Sequence, residues 1–174
     1  MTASNSPAFP GYHVPMASRR APALLVMFAA LAVPHAGIAD PSPPVPPVIS
    51  QTQGDWLTED HRGVVHIGPC GNVICGTIIA QSDFRPDGSS MLDPSGHPQC
   101  HLAIIRSMIP GDDGRLHGTV TDPRDGSTYN AQLWLGDDGA LRLRGYVAVP
   151  LLGSTQRWEH YAGTVTPDCH FPKK

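Results

Sequence analysis

Between residues 127 and 149 the apolar positions fall on every second residue. Tyr129, Ala131, Leu133 and Leu135 share one parity. Leu141, Leu143, Gly145 and Val147 repeat it, with Arg142 and Arg144 on the opposite parity. A period of two belongs to a β-strand with one dry face and one wet face. From 54 to 163 no apolar stripe with a 3.6-residue period lies between caps, so the pattern predicts strands there and no helix. Eight short runs broken by Gly, Pro, Asn and Asp are read as strands, the last four of them regular: 55–58, 62–67, 73–80, 101–108, 115–122, 127–135, 140–149 and 155–163.

The breaks between runs carry turn chemistry. GPCGN follows the second run, DPRDG the fifth, and GDDG occurs twice, at 111–114 and 136–139. Gly and Asp-Gly tolerate the positive φ of hairpin turns. The paired acids invite a calcium reading, but a calcium hand needs oxygen ligands at alternate positions and a closing Glu. Neither GDDG supplies them, so both are read as turns with hydrated acids. Eight short meandering strands predict an all-β, antiparallel barrel, because closure removes the edges. A barrel of that size holds packed side chains or one small ligand. Residues 81–100 break the meander and are expected to form a lid or rim.

The N-terminal third differs in character. Met16 is followed by Arg19 and Arg20, then the apolar run APALLVMFAALAV, then Gly37 and Ala39 before Asp40. A positive start, a short apolar core and a small-residue exit describe a secretory signal peptide, residues 1–39, with translation starting at Met16 as one option. The rival is a membrane anchor, but the run is short for a bilayer span, so no stable span is expected after cleavage. Residues 40–53 read as a Pro-rich, polyproline II linker, 54–163 as the barrel domain and 164–174 as a tail. Export to the periplasm or beyond follows as the expectation. The net charge of −3 and a longest cationic run of two residues exclude an electrostatic nucleic-acid binder.

Four cysteines in an oxidising compartment predict disulfides. Of the three connectivities, Cys70–Cys75 with Cys100–Cys169 is favoured because it uses all four. The rival joins Cys70 or Cys75 to Cys100. HPQCH offers a metal alternative from His97, Cys100 and His101, with His117 as a fourth ligand; an oxidised Cys100 would remove it, and no cofactor is expected. No G-x-S-x-G elbow occurs. Acids fall mainly in turns. Asp122 is the exception, ending a strand where it faces inward or accepts N–H bonds from its own turn.

Aromatic residues allow two readings. In one, Trp56 and Trp158 plug the barrel floor. In the other, Asp122, Tyr129, Trp134, Arg144, Tyr146, Gln156 and Trp158 line a ligand cavity, with Arg142 nearby. If the aliphatic face is the interior, Arg144 points outside.

Several strings, GDWLTED, PCGNVICGTI, DPRDGSTY, LRLRGYV and LLGSTQRW, together resemble domain of unknown function 2147, a family of bacterial exported and envelope proteins. The resemblance implies a calycin- or lipocalin-like barrel and brings no established activity. That family tends to carry Arg where this chain has Ser154 and His160, and Gly where it has His101, so an anion site built on those arginines is not carried over. The expected function is an exported, non-catalytic barrel that binds a small apolar or amphipathic ligand such as a lipid. The alternatives are a solid-cored module that binds an envelope protein or glycan, and an enzyme using Asp122, Tyr129 and His residues.

Overall fold

A computed structural model describes residues 45–171. Its strands are β1 Gly54–Leu57, β2 Gly63–Cys70, β3 Val73–Gln81, β4 Ala103–Pro110, β5 Leu116–Thr121, β6 Thr128–Leu135, β7 Leu141–Tyr146 and β8 Ser154–His160. Each pairs antiparallel with the next, and β8 returns to β1 through Trp56↔His160 and Leu57↔Glu159. The result is a closed eight-strand barrel in sequence order. All eight expected strands form, and the expected fold class holds.

The alternating parity selects the interior. Leu116, Ala131, Leu133, Leu141, Leu143 and Trp158 are buried on it, with Val65, Ile67, Ile74, Ile78, Ile105 and Met108 from the first half of the barrel. One end is packed solid. Gly118 makes that possible, since a Cβ there would lie 2.5 Å from the Arg106 carbonyl oxygen and 2.7 Å from Met108 Sδ. The backbone of β5 therefore runs directly against β4.

The expected linker is corrected at its C-terminal part. Pro47–Thr52 form a helix, α1, which begins with Pro inside its first turn, where a missing N–H costs nothing. Val48 and Ile49 pack on the core and Thr52 is buried. The Thr52 carbonyl accepts the Trp56 indole N–H at 2.9 Å. Ordered structure thus starts before Gly54, and α1 contributes to the barrel's closed end. The signal pattern at 16–39 lies outside the described residues. Among the described residues no helix is long and apolar enough to cross a membrane.

The two GDDG stretches close identical turns. Gly111 N–H donates to Arg115 O at 2.8 Å and Gly136 N–H to Ala140 O at 2.8 Å; Gly114 and Gly139 sit at φ +72° and +73°. The acids are not equivalent, which corrects the expectation that both are simply hydrated. Asp113 accepts from the His117 ring at 2.8 Å. Asp138 accepts from Arg157 at 3.0 Å and Arg142 at 2.8 Å. Those two guanidiniums, Arg157 first, hold the Asp138 carboxyl below its ordinary range.

Gly139→Val is therefore expected to destabilise the domain by about 1–2 kcal/mol. The cost comes from backbone conformation alone, because nothing lies within 4 Å of the added Cβ. Asp137→Ser is expected to be neutral and Asp138→Ser measurably destabilising at neutral pH. A carboxylate with a depressed folded pKa contributes above its unfolded pKa of ~3.9. The contribution is lost as pH falls through the folded value, so the Asp138→Ser deficit should shrink in acid. Denaturant melts at two pH values check all three variants; equal losses from Asp137→Ser and Asp138→Ser would refute the assignment.

Candidate functional site

Strands β1, β3, β5 and β7 end at the same side of the barrel, and their connections form its open end. Inside that end lies a cavity of about 680 Å³. Its walls include Val65, Ile78, Ala80, Ile104, Val120, Leu143 and Trp158. Ile78, Ala80, Val120, Leu143 and Trp158 continue the apolar parity of their strands, while Val65 and Ile104 lie where two successive residues, Val64–Val65 and Ile104–Ile105, are both buried beside bulges. Gly145 is inward-facing too, and the absence of a side chain there leaves room near the mouth.

Two buried polar side chains in the wall, Trp158 and Gln81, are hydrogen-bonded within it. The Trp158 indole N–H donates to Gln156 Oε1 at 2.8 Å. Gln81, also buried, donates to the Asp83 carbonyl at 2.7 Å and accepts from the Ser90 hydroxyl at 3.2 Å. Charge is confined to the rim. Arg62 pairs with Asp83 across 21 residues of sequence. Asp122 accepts Arg124 Nη2 at 2.7 Å and the Arg124 backbone N–H at 2.9 Å. The Arg124 side-chain bonds hold the Asp122 carboxyl below its ordinary range. An apolar base under a charged, self-paired rim suits a molecule with an apolar body and a polar end.

Five of the seven residues expected at a cavity are in its lining: Asp122, Tyr129, Tyr146, Gln156 and Trp158. Trp134 and Arg144 are corrected. Both occupy the outward parity, paired across strands with Arg142 and Gln132 respectively. Trp134 lies under the Arg115 guanidinium, 4.1 Å from its ring centroid. Arg144 bonds the Pro150 carbonyl at 2.7 Å and Thr155 Oγ1 at 2.6 Å, so it braces a loop. Trp158 serves both of its expected roles, being buried and forming a cavity wall. Trp56 is buried and is not in the lining.

Sequence reasoning missed the rim pair Arg62–Asp83 and the wall residues of β2–β4. The bulges there, between Val64 and Val65 and along β3–β4, break the simple alternation that marks the later strands. The segment 82–102 does supply part of the rim, through Asp83, Met91 and Gln99.

The disulfides are Cys70–Cys75 and Cys100–Cys169. The HPQCH metal set is not assembled. His97 pairs with Asp93, His117 pairs with Asp113 at the closed end, and Cys100 is oxidised. Cys100, His101 and Cys169 do lie within 4.8 Å of one another, but two of those sulfurs are the disulfide. Ser154 and His160 stand at opposite ends of β8, about 20 Å apart. Ser154 lines the mouth and His160 meets Trp56 edge-on, so the two positions do not share a site.

No protein of curated function matches the chain. Among solved structures it is similar to protein HP1028 from the human pathogen Helicobacter pylori, described as belonging to the lipocalin family. The TM-score is 0.52 at 16% identity, over 64% of this chain and 83% of that one. At that identity the likeness concerns the fold, a lipocalin-type barrel. The profile of a bacterial family spans residues 54–160, the whole barrel from the first residue of β1 to the last of β8. The chain belongs to DUF2147, a family of uncharacterized proteins conserved in bacteria.

Proposed function

We propose that this protein is an exported, non-catalytic carrier that takes one small apolar or amphipathic molecule, such as a lipid, into its barrel. The cavity carries this reading. Its volume of about 680 Å³ lies within the ~300–1,000 Å³ of small-molecule sites. Its apolar walls, whose Gln156, Trp158 and Gln81 groups are already hydrogen-bonded, favour an apolar body over a sugar or peptide. The charged rim offers a place for a polar end. A solid-cored interaction module would have a filled interior, and the void favours the carrier. Export is supported by the signal pattern at 16–39 and by two disulfides, which persist in oxidising compartments.

Native mass spectrometry of the protein recovered from the bacterial envelope tests both parts. The expected result is a chain beginning at or near Asp40 that carries a co-purified apolar species. A chain retaining residues 24–33 would sink the export reading. An empty chain that also fails to bind the apolar fluorophore N-phenylnaphthylamine would sink the carrier reading.

A further inference from the structure

The loop between β7 and β8 is unlike the other connections. Residues 147–153 read VAVPLLG, with no ionisable group. Val147, Val149, Leu151 and Leu152 are 65%, 48%, 87% and 73% exposed. Among the described residues there are nine exposed large apolar side chains, and these four fall within six residues. Met91, Leu92 and Tyr129 are three more. Met91 and Tyr129 line the mouth, as do Val147 and Leu152. Exposed apolar surface is thus gathered at the open end and is continuous with the cavity wall.

The loop is built to hold this shape. Val149 N–H donates to Val147 O at 2.8 Å across Ala148, whose φ is +62°, a conformation non-glycine residues rarely adopt. Pro150–Leu152 form a 3-10 turn, with Leu152 N–H to Val149 O at 3.1 Å and Gly153 N–H to Pro150 O at 3.0 Å. Arg144 braces it from β7, donating to Pro150 O and Leu151 O. Val147, Val149, Pro150 and Leu151 carbonyls therefore all accept a bond. Pro150 has no N–H to place. Four of the loop's carbonyls thus need no water, which lowers the cost of entering hydrocarbon, where acyl chains offer no hydrogen bonds. A protein partner would not require such bonding. A tip this narrow also falls short of the area a stable pair of chains buries.

We propose that the β7–β8 loop is a lipid-surface contact: Val149 and Leu151 enter the acyl layer of a membrane leaflet and set the cavity lip against it, so that ligand moves between leaflet and barrel without crossing water. The loading role rests on the carrier reading; the contact does not. Because the loop has no charge and Arg144 is engaged, the contact depends on apolar area and not on anionic lipid.

The test is co-sedimentation with phosphatidylcholine vesicles at low and high salt. Lipid-free binding of N-phenylnaphthylamine and its transfer rate from vesicles are measured alongside. The parent should sediment with neutral vesicles at both salt levels. Val149→Asp with Leu151→Asp should weaken this on the order of a hundredfold, and Leu151→Asp alone should weaken it less. Leu151→Met should keep it. None of these residues lines the cavity, so lipid-free probe affinity and melting temperature should stay at parent values while transfer slows. A double variant that still sediments would overturn the contact. So would a parent that ignores vesicles, or one that instead dimerises through this loop. Loop-dependent sedimentation by a protein that never takes up the probe would support the contact and sink the carrier reading.

Discussion

Gly145→Phe is expected to abolish ligand uptake while leaving the barrel folded. Gly145 lies on β7 between Ala131 and Ser154, on the inward parity and in the cavity lining. A Cβ there would meet Val120 Cγ1 at 3.6 Å and Tyr129 Cβ at 3.8 Å, ordinary van der Waals contacts. The backbone needs no positive φ. The new ring is driven inward by its own apolar surface and fills space that the ligand would use. Affinity for N-phenylnaphthylamine should fall at least a hundredfold, roughly 2.7 kcal/mol. The melt should change by less than about 1 kcal/mol.

Gly118 provides the contrast. It also faces inward, opposite Ala131 on β6, but its added Cβ would collide with β4 backbone. Gly118→Phe should cost several kcal/mol or prevent folding, as overpacking against fixed backbone does. A Gly145→Phe protein that binds the probe like its parent would show that the probe sits elsewhere, and the cavity would lose its assigned role.

Removing the Cys100–Cys169 bridge is expected to cost about twice what removing Cys70–Cys75 costs. The first closes 69 residues and the second only 5. Loop-closure entropy then gives ~4 kcal/mol against ~2 kcal/mol. Cys169 is fully buried and its carbonyl accepts the Gln81 N–H at 2.8 Å. His170 stacks on Phe84 at 3.9 Å, and His101 reaches the Pro167 carbonyl at 3.1 Å. The bridge therefore holds the tail against the 82–102 segment that supplies part of the cavity rim. Denaturant melts of the Cys100→Ala/Cys169→Ala and Cys70→Ala/Cys75→Ala variants measure the difference. Equal losses would mean that chain entropy does not govern these bridges. The first pair should also weaken probe binding, because the rim loses an anchor; unchanged binding would separate the tail from the site.

Local chemistry accounts for much of what could be read from the chain alone. The short runs between turn residues predict every strand, and in the later strands the period of two also sets the faces, since the backbone pleat turns successive side chains to opposite faces whatever the neighbours are. The GDDG and DPRDG turns are equally local, because they depend on positive φ at one residue. Parity even settles Trp134 and Arg144. Each alternates with leucines that turned out to be core, and grouping them with the cavity overrode that signal.

Other features needed the closed barrel. Helix α1 is six residues long, too short for a helical period to show, and it forms against the core that Trp56 and Thr52 share. The setting of Asp138 is partly tertiary: besides Arg142, four residues on, it accepts from Arg157, brought from a neighbouring strand. Whether the interior is hollow depends on the same kind of convergence. Gly118 and Gly145 look alike in sequence, and both face inward. At Gly118 the bulged backbone of β4 closes the space; at Gly145 it stays open, because the side chains of the surrounding strands stop short of one another. Alternation says which residues point inward, but only the joint geometry of all eight strands decides whether they meet.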